Sequence, residues 1–199
     1  NRLTHSLEVA SVGRSLGSIV SNKLKKKVET PLISEIGTIV GAACLAHDLG
    51  NPPFGHSGED AISNYFINEK GSKIKSLVSE NQWNDLIRFE GNSNALRTLT
   101  HQFYGRLDGG FGLTYSTLAS IVKYPCISSL GSDKKNIHRK KYGFFDSEID
   151  TFNKIAKELG LIQSEENAYF RHPLVFLVEA ADDICYNICL LYTSPSPRD

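Results

Sequence analysis

An apolar helical stripe that ends in an imidazole and a carboxylate constrains this chain more than any other feature. Ile36, Val40, Ala43 and Cys44 stand 11, 7, 4 and 3 positions before His47. That spacing is one face of an α-helix, so His47 turns toward the core with Asp48 beside it. Gly50 is expected to stop the helix, and Pro52-Pro53 keeps it from resuming. A second imidazole, His56, and Glu59 follow within the next loop. Two metal-ligating groups at a sharp break, with another imidazole–carboxylate pair just beyond, have the make-up of an active site.

Two further stripes carry polar residues. Val9, Val12, Leu16 and Ile19 lie 4, 7, 11 and 14 positions after His5. Near the other end, Val175, Val178, Asp182, Cys185 and Cys189 are spaced by 3, 4, 3 and 4. Asp182 therefore shares an apolar face, whereas Asp183 falls with Glu179 and Asn187 toward solvent. A single buried histidine is ordinarily a hydrogen-bonded core residue. Three polar residues on three core-facing stripes, one with an aspartate next to it, call for a shared cation, because an unpaired buried carboxylate is costly. His5, His47, Asp48 and Asp182 supply two nitrogens and two carboxylates, a set that suits one Mn²⁺, Mg²⁺, Fe or Zn²⁺ ion.

Composition excludes several classes. Lys+Arg and Asp+Glu both number 22, so net charge gives no sign of nucleic-acid or membrane binding. No apolar run reaches the roughly 20 residues of a membrane-spanning helix. Cys44, Cys126, Cys185 and Cys189 lack zinc-type spacing and read as reduced, buried thiols of a cytoplasmic protein.

The remaining pattern predicts an all-α chain. Expected helices run from about Leu32 to Leu49, from a capping-box-like Ser57–Asp60 through Phe66, and over Gly91–Phe103, Leu113–Tyr124 and Asp146–Leu159, with the last beginning at Pro173. Ser128–Tyr142 reads as a loop and Lys141–Phe145 as a short strand. His101 and His138 read as surface residues, and His172 as the lead into the last helix. The chain has no methionine, and residues 189–199 resemble a translated sequencing adaptor. We therefore expect a core over 1–188 belonging to a longer protein, and a non-native tail over 189–199, disordered from about residue 192.

Longer runs carry a family resemblance. RLTHSLEVA (2–10), AHDLGNPPFGHSGE (46–59), FEGN (89–92), LTYSTLA (113–119), VKYP (122–125), RHPL (171–174) and EAADDICY (179–186) resemble the HD-domain deoxyguanosine triphosphate triphosphohydrolases. That resemblance implies a helical bundle around a single metal site and hydrolysis of a deoxynucleoside triphosphate, dGTP first, to deoxynucleoside and inorganic triphosphate. It implies His5, His47, Asp48 and Asp182 as ligands of one divalent ion. His56 and Glu59 would be the catalytic pair; Arg2, Lys123 and Lys141 would meet the triphosphate; Tyr124 and Tyr186 the sugar; and Asn92 the same pocket. A homo-oligomer is also implied. Where the family carries an aspartate, Leu190 stands here. Two other readings are an HD phosphohydrolase acting on different nucleotides and a nucleotide-binding sensor without turnover.

Overall fold

A computed structural model describes residues 2–68, 70–105, 108–133 and 135–193, the last five by backbone alone. The fold is helical, as expected. The described residues fall into two compact units, one of those up to 47 together with those from 173 onward, the other of those between 48 and 172.

In the first unit, α1 (Arg2–Leu24), α2 (Ile36–Ala46) and α8 (Val175–Thr193) all pack on one another. A 3₁₀ turn, Pro31–Glu35, leads into α2. The buried face of α1 is Val9, Gly13, Gly17 and Ser21. The predicted stripe is thus rotated: Ile19 is exposed, and small residues replace branched ones in the contact. The reason is close antiparallel approach. A Cβ on Gly17 would lie 2.8 Å from the Gly37 Cα, and the Ser21 hydroxyl donates to the Ile33 carbonyl at 2.7 Å. On α8 the predicted stripe holds, with Val175, Val178, Ala181 and Cys185 buried.

The second unit contains α3 (His56–Ile67), α4 (Glu80–Ile87), α5 (Gly91–Thr100), α6 (Tyr115–Ile121) and α7 (Ile149–Leu159). Its core is aromatic: Phe144 stacks on Phe152 at 4.6 Å, and Tyr169 meets Phe152 edge-on. Cys126, Tyr142, Phe145 and Ala168 cluster beside it. The only strands among the described residues are β1 (Gln163–Glu165) and β2 (Ala168–Tyr169), paired antiparallel.

Several local expectations are corrected. Lys141–Phe145 forms no strand; it is a buried segment whose Gly143 amide donates to the Cys126 carbonyl. Helix α3 begins at His56, so Ser57 lies inside it and caps nothing; the N-cap is Gly55, at φ +57°. A true capping box opens α4 instead, with Ser79 and Gln82 bonding reciprocally, and α4 itself was not anticipated. Helix α2 ends at Ala46, and Gly50 serves close packing rather than a left-handed cap, since a Cβ there would collide with the Gly91 carbonyl and the Ala95 amide. The last helix is described through Thr193, past the expected onset of disorder at about residue 192. The rest of the tail, and the side chains of Cys189 and Leu190, lie outside the described residues.

Candidate functional site

Helices α1, α2 and α8 bring three polar side chains to one point. His5 Nε2 lies 3.0 Å from Asp182 Oδ1, and His47 Nε2 lies 3.5 Å from the same oxygen. The two imidazole rings meet edge-on at 5.7 Å. One ligand atom from each residue falls within 4.8 Å of the others. His47 is the C-cap of α2 and is nearly closed from solvent, while His5 and Asp182 remain partly open.

The donor set fits a cation. The Cys44 carbonyl lies 2.7 Å from His47 Nδ1 and can only accept, so that nitrogen carries the proton. In the neutral tautomer His47 Nε2 turns a lone pair toward the Asp182 carboxylate. Two electron-rich atoms so directed are satisfied by a positive charge between them, a metal ion or a proton on the ring. Ligand bonds of about 2.0–2.2 Å put neighbouring ligands of one ion roughly 3–4 Å apart, which matches the spacing here. The hydrogen bond to Cys44 is the kind of outer support that fixes a metal-binding tautomer.

Asp48 follows His47 directly and begins the second unit, where its Oδ1 accepts from the Asn51 side-chain amide nitrogen at 2.9 Å. Asp183 is exposed on α8, and its carbonyl accepts from Asn187, as its position on the helix predicts.

The second pair is also assembled. His56 Nδ1 and Glu59 Oε2 are 2.8 Å apart, one turn along α3. A carboxylate accepts, so Nδ1 donates and Nε2 turns outward on a side chain that is 85% exposed. Glu59 is held from its other side: Oε1 accepts from the Gly91 amide at 2.8 Å, at the start of α5. The turn into α3 carries left-handed backbone at Phe54 (φ +66°) and Gly55. Such strain in an exposed phenylalanine persists only where the surroundings enforce it.

The other predicted residues divide. Lys141 Nζ meets both oxygens of Glu90 at 3.0 and 3.1 Å, and Asn92 Nδ2 donates to Glu90 at 2.6 Å. Those two are thus joined through a buried carboxylate. Lys123 and Tyr124 follow α6, half-buried, and the Arg171 guanidinium lies 5.3 Å over the Tyr124 ring. Tyr186 is exposed on α8, one turn after Asp182, and Arg2 is exposed at the start of α1. Glu90 and Arg171 were not singled out from sequence, although each stands in a quoted run, FEGN and RHPL. His101 is exposed; His138 packs half-buried on Phe170, and burial lowers the pKa of both His138 and His172.

The chain is similar to known proteins over most of its length. A deoxyguanosinetriphosphate triphosphohydrolase-like protein of Pseudomonas aeruginosa is 47% identical over 94% of this chain and 42% of its own length. A protein of the same description from a Synechocystis species is 46% identical, over 94% of this chain and 45% of its own. A deoxyguanosinetriphosphate triphosphohydrolase of Yersinia enterocolitica is 35% identical over 94% and 42%. The chain spans about two fifths of the length of these relatives. The HD-domain profile matches residues 2–104, a stretch that takes in His5, His47, Asp48, His56 and Glu59, and by that match the chain belongs to the HD-domain family.

Proposed function

We propose that this protein hydrolyses a deoxynucleoside triphosphate, dGTP first among candidates, to the deoxynucleoside and inorganic triphosphate. The convergence of His5, His47 and Asp182 from three helices carries the reading, together with relatives bearing that activity in their names. His5, His47 and Asp182 would hold one divalent ion, manganese or magnesium first, and the family resemblance adds Asp48 as a fourth ligand. When bound, the ion would polarise the α-phosphoryl group and orient the attacking water.

The chain's own residues carry the remaining steps. Water adds to the α-phosphorus, and the bond from phosphorus to the 5′-oxygen breaks. That oxygen needs a proton, which His56 supplies from Nε2 while Glu59 fixes the ring through Nδ1. The Gly91 amide keeps Glu59 from rotating. Lys141 has three ammonium protons; Glu90 aims the group, and a remaining proton is directed at a triphosphate oxygen, with Lys123 and Arg2 adding charge. Tyr124 and Tyr186 would line the sugar, and Asn92 would stand in the same pocket. A homo-oligomer in the cytoplasm belongs to the same reading, and no described helix is long and apolar enough to cross a membrane.

Incubation with dGTP and Mn²⁺, followed by separation of the phosphates, tests it. Inorganic triphosphate in equal amount with deoxyguanosine is expected. Release of orthophosphate or pyrophosphate would sink the proposal, and parallel reactions with the other deoxynucleotides would set the base preference.

A further inference from the structure

Helix α3 carries the His56–Glu59 pair yet has no fully buried residue, whereas α5 buries Gly91, Ser93, Ala95, Leu96 and Leu99. The position of α3 therefore rests on contacts other than a fully packed apolar face. Two of them form a ladder. Glu59 and Ser63 lie four positions apart, so they stand one above the other on the same side of the helix. Glu59 Oε1 accepts from the Gly91 amide at 2.8 Å, and Ser63 Oγ accepts from the Phe89 amide at 3.0 Å. Glu90, between those amides, is extended at φ −132° and ψ 122°, and in extended backbone alternate residues face the same way. Two side chains of α3 thus meet the segment before α5 as a neighbouring strand would. One rung alone would leave α3 free to pivot about it; two fix both its rotation and its height.

We propose that Ser63 is a positioning residue for the His56–Glu59 pair, an inference that rests on the reading of His56 as the proton donor to the leaving oxygen. By holding the Phe89 amide, the Ser63 hydroxyl keeps Glu59 in register with the Gly91 amide, and Glu59 in turn holds the His56 ring through Nδ1. Lys141 is held separately, by Glu90 at 3.0 Å, and Glu90 caps the well-buried α5. Loss of the Ser63 rung therefore loosens the proton donor and leaves the triphosphate contact in place.

Ser63→Ala removes the acceptor and Ser63→Thr keeps it. With dGTP and Mn²⁺, Ser63→Ala should lower kcat roughly 10–100-fold, the scale of a small misplacement of a reacting group. KM should stay within about twofold, because the ground-state contacts are kept. Ser63→Thr should recover most of the loss. In a His56→Ala background Ser63→Ala should cost nothing further, since two residues acting through one group are not additive. An equal loss in both backgrounds, or a rise in KM with kcat unchanged, would overturn the proposal. Nitrogen-15 NMR of the His56 ring gives a readout free of turnover: the neutral ring should carry its proton on Nδ1 in the unaltered protein and become a mixture of tautomers in Ser63→Ala. If no triphosphate is released yet the tautomer responds to Ser63, the hydrolytic reading fails and the positioning role stands. A tautomer indifferent to Ser63→Ala overturns the positioning role. Should that variant not fold, hydrogen exchange of the unaltered protein decides. The Phe89 and Gly91 amides should exchange within about threefold of one another, because one opening of α3 frees both. A Phe89 amide exchanging as fast as an open loop while Gly91 stays protected would sink the ladder.

Discussion

At the scale of single residues, the site separates holding from reacting. Asp182 Oδ1 is the atom that both imidazoles face, so Asp182→Ala should abolish metal binding and turnover together, whereas Asp183→Asn, altering an exposed side chain, should change little. His56 stands on its own helix with its Nε2 edge outward. His56→Ala should leave metal content intact and lower kcat roughly 10²–10⁴-fold, the range of a lost general acid. Metal analysis beside kinetics checks both, and a His56 variant without metal would move that residue into the ligand set. Asp85 makes a different prediction. Burial, the largest cause, lifts its pKa from 3.8 to about 6. The folded state therefore binds this proton more tightly than the unfolded chain, so stability falls as pH rises from about 4 to 6 and stays reduced above that. Asp85→Asn removes the dependence and should be more stable than the parent at pH 7.5, by roughly 2–3 kcal/mol at one pKa unit per 1.36 kcal/mol. The difference should vanish near pH 4; denaturant melts of the two proteins at both pH values measure it.

At the scale of elements, the contact between α1 and α2 determines where the imidazoles meet. The helices run antiparallel in close approach, Ser21 opposite Ile33, Gly17 opposite Gly37, Gly13 opposite Cys44. Continuing the pattern brings His5, near one end of α1, to His47, just past the other end of α2. The small residues are thus part of the construction of the candidate metal site. Gly17→Val should push the helices apart, because the neighbour is backbone and cannot rotate away. Overpacking of this kind costs about 1–3 kcal/mol, and the branched side chain recovers little through helix propensity. The variant should both melt earlier and bind Mn²⁺ more weakly. A variant with lower melting temperature but unaltered metal affinity would detach the seam from the site.

At the scale of the whole molecule, the first unit is made from the two ends of the described chain. His5 and Asp182 meet across 177 positions of sequence. An ion shared by them closes a contact that the unfolded chain does not have, so binding is coupled to folding. Mn²⁺ at about 100 times its dissociation constant should add about 2.7 kcal/mol of stability. For a chain of this size that is a rise of roughly 5–10 °C in melting temperature. EDTA should reverse it, and Asp182→Ala should show no response to the ion. A melting temperature indifferent to Mn²⁺ in the unaltered protein would count against the metal centre.

Sequence alone determined which face of two helices turns inward at the candidate site. The 3.6-residue periodicity put His47 and Asp182 on core faces and Asp183 outside, because a helix has only one apolar side to bury. His56 and Glu59 read as loop residues in the sequence, and they are neighbours because α3 begins at His56 and one helical turn separates them. What periodicity could not supply was partnership. The choice of Val9, Gly13 and Gly17 over Val12, Leu16 and Ile19 as the buried face of α1 depends on how near α2 comes, which no spacing in α1 records. Glu90's grip on Lys141, and the Gly91 amide on Glu59, join segments far apart in the chain. The exposed Ser57 and the functional cap at Ser79 look alike as text; only the backbone turn at Gly55 tells them apart. Local pattern settles which way a side chain faces, because that follows from helix geometry. What it faces is decided by tertiary structure, because non-local contacts set it.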